Sequence, residues 1–303
     1  MKEANLLTFY ERFKDEQDCR DYLAKLRWND KTTCPHCGSI NEAYKYKDGK
    51  LFKCKACKKQ FTVKVGTIFE DSQISLQKWF LAIYLATSLK SGISSVQLSK
   101  YLGITQKTAW FMLHRIRKVI EMEDMAFFGD IEADEPYIGG KTQNRQLSKR
   151  NKDNTKEVVF GMVERKGKTV MKHVKSSGVS SLIPIIQGRV QQKDSSRIFS
   201  DEWGSYRSLK KLGYFHEKVN HHKGGYVNGE VHTNTIEGVW SQLKRGVNGV
   251  YHHVSAKHLQ KYCDEYGYRY NTRGLDDFER FNDWFNFVNK KRLTYKTLVA
   301  KNS

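Results

Sequence analysis

Three carboxylate side chains in the second half of the chain have the types and spacing for metal-dependent chemistry. Asp134 lies in the segment IEADEPYIGG, Asp201 ends the short segment IFSD, and Glu237 lies near the start of HTNTIEGVWSQLKR. Two-metal chemistry at a phosphodiester requires carboxylates from different elements to converge on two Mg²⁺ ions about 4 Å apart. Hard oxygen ligands suit Mg²⁺. These acids are therefore the first candidates for a catalytic metal site.

Spacing alone leaves other ligands open at each of these positions. Strand alternation puts Glu132 on the same face as the first aspartate, and Glu135 and Glu202 are further rivals. Asn234 lies in the same predicted helical turn as Glu237; we prefer Glu237 because a carboxylate holds a divalent cation more strongly than an amide does. The same two residues would also be typical of a helix cap with a reciprocating acid, which is a structural use.

Four cysteines form a second group with a recognisable spacing. Cys34-Pro-His-Cys37 is followed, after sixteen intervening residues, by Cys54-Lys-Ala-Cys57. Two such pairs indicate four thiolates around one tetrahedral zinc ion, whereas unrelated surface cysteines are the alternative. Four protein ligands leave no open position, so we expect a structural zinc whose binding folds this segment.

The residues between the cysteines and the acids have the periodicity of successive helices. Helices are predicted over 76–89, 94–102 and 105–122, with Gly103 between the last two. This pattern is typical of a helix-turn-helix whose second helix meets DNA bases with its N-terminal end, although a hairpin that only buries a core is the alternative. On the first interpretation Gln106, Lys107 and Thr108 face the groove, Arg115, Arg117 and Lys118 remain free for phosphates, and Ala109, Met112, Leu113 and Ile116 pack inward.

From about residue 127 the periodicity changes to that of strands. DIEADEPYIGG, EVVFGMVER and TVMKHVKS predict a three-strand meander, and short strands and helices alternate after it. This order predicts a mixed sheet with helices packed on its faces. If the first and fourth strands are neighbours, the two aspartates lie side by side. The polar segment 141–156 is predicted to be a mobile loop near DNA.

The composition bounds the class of protein. The 303 residues include 53 Lys and Arg against 33 Asp and Glu, a formal charge of +20 that favours a nucleic acid as partner, a merely soluble basic protein being the alternative. No segment approaches the ~20 apolar residues of a membrane span, and acids near the start argue against a signal peptide. We therefore expect a cytosolic protein without a membrane partner, in which Cys19 and Cys263 are half-buried thiols.

The segments RWNDKTTCPHCGS, DEPYIGGK, SDEWGSY and HTNTIEGVWSQLKR, in this order, resemble a family of DDE transposases. It is the family of bacterial insertion sequences that carries a zinc ribbon ahead of an ISXO-like catalytic domain, and the resemblance extends from about residue 16 to about residue 275. It implies an α/β fold of the ribonuclease H-like class, preceded by a zinc ribbon and a helix-turn-helix. The domains are then expected at 1–70, 71–124 and 125–303.

The resemblance also implies the roles of particular residues. The family's acidic triad carries over onto Asp134, Asp201 and Glu237, and the thirty-five residues between the last two are typical of the superfamily. Lys244, seven residues after Glu237, resembles a lysine thought to contact the transposon end, and Arg245 follows it as a further DNA-binding candidate. The cofactors implied are one structural Zn²⁺ and two catalytic Mg²⁺, for which Mn²⁺ is expected to substitute.

The function implied is that of an insertion-sequence transposase. It binds terminal inverted repeats, cleaves the strand and joins the freed 3′-hydroxyl to target DNA. The partners implied are double-stranded DNA, both the transposon ends and the target, and further copies of the chain in a dimer or larger assembly. The location implied is the bacterial cytoplasm, at the nucleoid. The alternatives are a DNA-binding regulator that has lost its chemistry and a ribonuclease H-like nuclease of repair or recombination.

Overall fold

The computed structural model describes residues 5–121, 125–139, 156–201, 204–219 and 232–300. They form two compact units, one of Met1–Ile120 with Gly274–Ser303 and one of Glu121–Arg273. The predicted third domain ran from 125 to 303, whereas the segment after Arg273 packs with the first unit. Glu202 and the predicted loop at 141–156, apart from Lys156, lie outside the described residues.

The first unit is built of helices and a small sheet. Its sheet is antiparallel, in the order β1-β2-β3. Its elements, numbered along the chain, are α1 (Leu6–Arg12), α2 (Glu16–Trp28), β1 (Ala43–Lys45), β2 (Leu51–Cys54), β3 (Gln60–Thr62), α3 (Leu76–Ser88), α4 (Ser95–Leu102), α5 (Gln106–Val119), α10 (Asp277–Phe285) and α11 (Tyr295–Val299).

Aromatic rings form the core that joins these helices. Phe13 lies just after α1, and its ring centroid is 5.0 Å from that of Phe9 and 5.1 Å from that of Phe80 on α3. Phe281 of α10 lies 5.8 Å from Phe80, and all four side chains are buried. Because this core needs α10, the C-terminal segment belongs with the first unit.

The α4–α5 pair has the local signals of a helix-turn-helix. Gly103 ends α4 with φ of 59°, in the left-handed region that glycine adopts without strain. The Thr105 hydroxyl then accepts the N–H of Thr108 at 3.2 Å and caps α5. Both helices therefore form where the sequence predicts them, and the four residues predicted to pack inward, Ala109, Met112, Leu113 and Ile116, are buried.

The second unit is a mixed α/β domain. A 3-10 turn at Gly204–Arg207 and a π-helical turn at Val247–Tyr251 accompany its regular elements. These are β4 (Gly129–Asp134), β5 (Tyr137–Ile138), β6 (Glu157–Glu164), β7 (Thr169–Val174), α6 (Val179–Arg189), β8 (Ser196–Ser200), α7 (Ser208–Lys211), β9 (Phe215–Lys218), α8 (Asn234–Gly246) and α9 (Ala256–Asn271).

The sheet has the topology that the ribonuclease H-like prediction requires. Strands β4, β6 and β7 form the predicted antiparallel meander, with the two-residue β5 also paired to β6. Strand β8 lies beside β4 on its other side and β9 beside β8, both in parallel. The first strand of the domain and the fourth strand of the predicted pattern are therefore neighbours, as expected, and the mixed α/β fold class is confirmed.

Helices cover both faces of this sheet. On one face Ile131 and Ala133 of β4 pack in a core with Leu182 of α6. On the other face Trp240 of α8 and Leu259 of α9 pack in a second core. Side chains alternate along a strand, so Glu132 and Asp134 point to the α8 side. No helix in the described part of the chain combines the length and apolar content needed to span a bilayer.

Candidate metal sites

The four predicted zinc ligands come together in the first unit. All four sulfur atoms lie within 4.8 Å of one another, with 3.7 Å between Cys34 and Cys57 and 3.7 Å between Cys37 and Cys54. A tetrahedron with Zn–S bonds of about 2.3 Å has edges of about 3.8 Å. The cysteines therefore fit a structural zinc ion.

Local turns hold these cysteines in place. The N–H of Gly38 donates to the carbonyl of Cys34 at 2.9 Å, which closes the first turn, and Gly38 has φ of 78°. Cys54 ends β2, and its N–H donates to the carbonyl of Lys59 at 3.0 Å across the second turn. Pairing of Cys54 with Ala43 of β1 fixes the second turn to the sheet. Each ligand pair is thus defined by a few consecutive residues.

The two aspartates of the predicted triad end neighbouring parallel strands. Ala133 of β4 pairs with Ser200 of β8, and Asp134 and Asp201 each follow directly. Burial raises the pKa of Asp134, and the charge of Asp201 adds to the effect. The structure thus brings the two aspartates together at the carboxyl end of the strands.

Glu237 lies in the first turn of α8, as predicted, and its side chain is exposed. Its charge also raises the pKa of Asp134, so the two groups are close enough to interact. Among the described residues, the cysteine group is the one set of three or more candidate ligands whose atoms all lie within 4.8 Å. The three acids are therefore neighbours in an open arrangement.

Trp240 connects α8 to the first aspartate, a contact that the sequence analysis missed. Its Nε1–H donates to Asp134 Oδ2 at 2.8 Å. Gly161 of β6 pairs with Asp134, and a Cβ at Gly161 would lie 2.3 Å from the Trp240 ring. A glycine is needed at position 161 because the indole lies directly against the sheet there. The position of Trp240 three residues after Glu237, on the same side of the helix, is the signal that could have revealed this contact.

Glu132, a rival acid in the sequence analysis, is fully buried and committed to other partners. Its Oε2 accepts the N–H of Ile236 at 3.0 Å, and its Oε1 accepts the Thr235 hydroxyl at 2.9 Å and Arg165 Nε at 2.8 Å. His232 Nδ1 lies 3.2 Å from the same oxygen. The acid therefore binds the start of α8.

The other rival, Glu135, is buried against Tyr206, whose hydroxyl donates to Glu135 Oε2. Burial raises the pKa of Glu135 to about 7 against the lowering effect of this hydrogen bond, and the charges of Asp201 and Asp134 add to the rise. A carboxyl group that readily accepts a proton thus lies beside the aspartates.

The helix-cap interpretation of Asn234 and Glu237 is wrong. The residue preceding α8 is Thr233, which makes no side-chain cap bond, and Asn234 is already the first helical residue. The Thr233 hydroxyl lies 3.4 Å from Glu237 Oε1 instead. Glu237 is consequently not used as a reciprocating cap.

One part of the helix-turn-helix prediction needs correction. Gln106 and Lys107 are exposed at the start of α5 and Thr108 is half-buried, but Arg115 and Arg117 are buried. Arg115 donates to the carbonyl of Glu70 at 2.6 Å, and burial lowers its pKa to about 10. Arginines on the inward face of α5 are not free for phosphates.

Lys244 and Arg245, by contrast, are exposed in the last turn of α8. Arg245 Nε donates to the carbonyl of Ser241 at 3.2 Å, which leaves the cation on the surface.

Cys19 and Cys263 are fully buried rather than half-buried, and burial raises the pKa of both thiols. They are core residues.

A mixed sheet with aspartates at the ends of adjacent parallel strands, together with a four-cysteine ribbon, defines a ribonuclease H-like protein with an added zinc ribbon. Residues 127–271 match the family model of the ISXO2-like transposase domain, and residues 14–60 match that of the transposase zinc-ribbon domain. The chain is 30% identical over 251 residues to an uncharacterized protein in transposable element ISH50 of Halobacterium salinarum, covering 77% of this chain and 83% of that protein. The chain belongs to the ISXO2-like transposase family, as its sequence motifs predicted.

A solved structure, the simian T-cell lymphotropic virus intasome in complex with PP2A regulatory subunit B56 gamma, shows a weaker likeness. The identity is 17%, the TM-score is 0.29, and the match covers 56% of this chain and 63% of that chain, less than two thirds of its length. With so low a TM-score, the fold assignment rests on the strand order of this chain.

Proposed function

We propose that this chain is an insertion-sequence transposase that cleaves DNA at the ends of its element and joins the freed 3′-hydroxyl to target DNA. The observation that carries the proposal is the placement of Asp134 and Asp201 at the ends of paired parallel strands, with Glu237 within electrostatic reach. Family membership supports the same chemistry.

In this proposal Asp134, Asp201 and Glu237 hold two Mg²⁺ ions, for which Mn²⁺ substitutes. The donor set fits: burial raises the pKa of Asp134, and the charges of Asp201 and Glu237 raise it further, as expected of negative charges that a divalent cation would neutralise. When bound, the ions supply Lewis-acid activation of water or the 3′-hydroxyl and stabilise the leaving oxygen. The Trp240 N–H orients the Asp134 carboxylate, so the chain contributes positioning rather than a covalent nucleophile.

The proposed DNA contacts use cations and polar groups that the structure leaves accessible. Lys244 and Arg245 lie at the end of the helix that carries Glu237, and Gln106, Lys107 and Thr108 begin α5. The net charge of +20 favours contact with phosphates throughout. We further propose that two element ends are held by a homodimer or larger assembly, acting on the nucleoid in the cytoplasm.

Replacement of Asp201 tests the catalytic assignment. We expect Asp201→Asn to lower Mg²⁺-dependent cleavage of an element-end duplex by at least about a thousandfold, because an amide holds the cation poorly, while end binding changes less than about twofold. Asp194→Asn, an exposed acid ahead of β8, is the matched control and is expected to cleave normally.

The same assay separates the alternatives. An Asp201→Asn variant that cleaves like the wild type would show that the wrong acid was chosen. End binding by the wild type without any Mg²⁺-dependent cleavage would favour a regulator, and cleavage without strand joining would favour a nuclease.

A further inference from the structure

Helix α8 begins without a cap from its own sequence. Thr233, the N-cap residue, makes no side-chain hydrogen bond to a backbone N–H of the first turn. The backbone N–H of Ile236, the third residue of the helix, is one of the groups that an N-cap side chain ordinarily satisfies. Here it donates to Glu132, a residue 104 positions earlier in β4. The sheet therefore caps the helix.

Glu132 is placed where a buried carboxylate is tolerated. It is fully buried, and a buried charge requires partners on its oxygens. The positive end of α8 and the guanidinium of Arg165 provide them. The Nη2 atom of Arg165 also donates to the carbonyl of His232 at 2.9 Å, so the chain just before α8 is held by the same guanidinium.

A second contact, one helical turn further on, sets the direction of α8. Ile236 contacts Glu132, and Trp240 contacts Asp134. Two strand residues rise about 6.6 Å. Four helical residues rise about 6 Å, so the spacing of Ile236 and Trp240 along α8 matches that of Glu132 and Asp134 along β4. Glu237 lies between the two anchored helical positions.

We propose that Glu132 is a positioning residue that docks the first turn of α8 on β4 and thereby brings Glu237 to the two aspartates. The inference rests on the proposed function, because it gives Glu132 a role in assembling that same metal site. Glu132 does not itself bind metal in this proposal, since its oxygens are occupied by Ile236, Thr235 and Arg165.

The test uses the full-length zinc-loaded chain and the variant Glu132→Gln. The matched control is Glu157→Gln on β6, which makes the same chemical change where the acid pairs with His173 at 2.8 Å. Hydrogen exchange of the first turn of α8, Mn²⁺ affinity by titration of the free-ion electron paramagnetic resonance signal, cleavage and end binding are measured. The Mn²⁺ binding that Asp201→Asn abolishes is assigned to the three acids.

We expect faster exchange at Ile236 and about tenfold weaker Mn²⁺ binding in Glu132→Gln, the size expected for loss of a charge-assisted hydrogen bond. Cleavage falls at limiting Mn²⁺ and recovers in part at saturating Mn²⁺, whereas end binding stays unchanged. A residue that only stabilised the fold would lower the melting temperature without this dependence on metal concentration. Glu157→Gln is expected to behave like the wild type.

Unchanged Mn²⁺ affinity and cleavage in a folded Glu132→Gln overturn the inference. Should that variant fail to fold, Thr235→Val decides: it removes one bond to Glu132 Oε1 and is expected to weaken Mn²⁺ binding about threefold, and no change overturns the inference. Failure of the proposed function looks different, since the wild type would then neither cleave nor bind Mn²⁺ in an Asp201-dependent way, and the role of Glu132 would fall with it.

Discussion

The cysteine cluster and the acidic group are two candidate metal sites built in opposite ways. The cysteine ligands come as two pairs, each within four consecutive residues, and all four sulfurs already lie within 4.8 Å. The acidic ligands come from β4, the end of β8 and α8, and Glu237 is exposed. The first site is closed, and the second is open on one side.

The difference agrees with the roles proposed for the two sites. Four thiolates that fill a tetrahedron suit a metal that only stabilises the fold. A catalytic metal must leave positions for substrate, so its ligands stand further apart and depend on other residues for their placement. At the proposed catalytic site, the contacts of Trp240 with Asp134 and Gly161 and of Glu132 with α8 would provide this placement. We therefore expect that metal binding at the cysteine site is lost when a ligand is replaced. Metal binding at the acidic site should also weaken when residues that bind no metal are replaced.

The largest effect is expected from loss of a zinc ligand. Cys54→Ala should reduce bound zinc from about one ion per chain to none and unfold the ribbon, because structural zinc contributes on the order of 10 kcal/mol to such segments. Zinc content by mass spectrometry and hydrogen exchange of β1–β3 measure this. Cys19→Ala, at a buried cysteine outside the cluster, should keep its zinc; loss of zinc there as well would remove the distinction.

An intermediate effect is expected from Gly161→Ala in the second unit. The added Cβ would collide with Trp240, so the indole must move and its bond to Asp134 is lost, at a cost of about 3 kcal/mol and most of the cleavage activity. Thermal unfolding and cleavage assays measure both. Gly188→Ala in α6, where a Cβ meets no atom within 4 Å, is the control and should be neutral or slightly stabilising. Equal behaviour of the two variants would show that the indole does not depend on Gly161.

The smallest of these effects concerns pH. The pKa of Glu135 is raised to about 7 from 4.5, so the folded chain binds a proton that the unfolded chain releases between these values. The contribution of protonated Glu135 to the free energy of unfolding is therefore present at low pH and is lost as the pH rises through the pKa of about 7. The loss is about 2 kcal/mol between pH 5 and pH 8. Thermal unfolding without Mg²⁺ should show a weaker pH dependence in Glu135→Gln, with Glu217→Gln as the control for one lost negative charge. The same pH dependence in Glu135→Gln and wild type would contradict the prediction.

Periodicity predicted where the elements lie better than it predicted which polar side chains are exposed. The α4–α5 pair and the meander of β4, β6 and β7 form as expected, because helical and strand patterns are local. Arg115 and Arg117 were expected on the surface, yet the packing of α5 buries them. A charged residue on the inward side of a helix is indistinguishable by spacing from one that snorkels to solvent.

By itself, the sequence determined the cysteine cluster, the order of the elements and the acids from which a catalytic site could be drawn, since each depends on a few neighbouring residues. Tertiary structure alone distinguished the surroundings of Glu132 from those of Asp134, which share one strand face. Packing of α8 on β4 buries the first acid under a helix start and leaves the second at the end of the strand. The different burial of the two acids depends on contact between segments about a hundred residues apart in the chain. A local sequence pattern does not show which distant segment will cover a side chain.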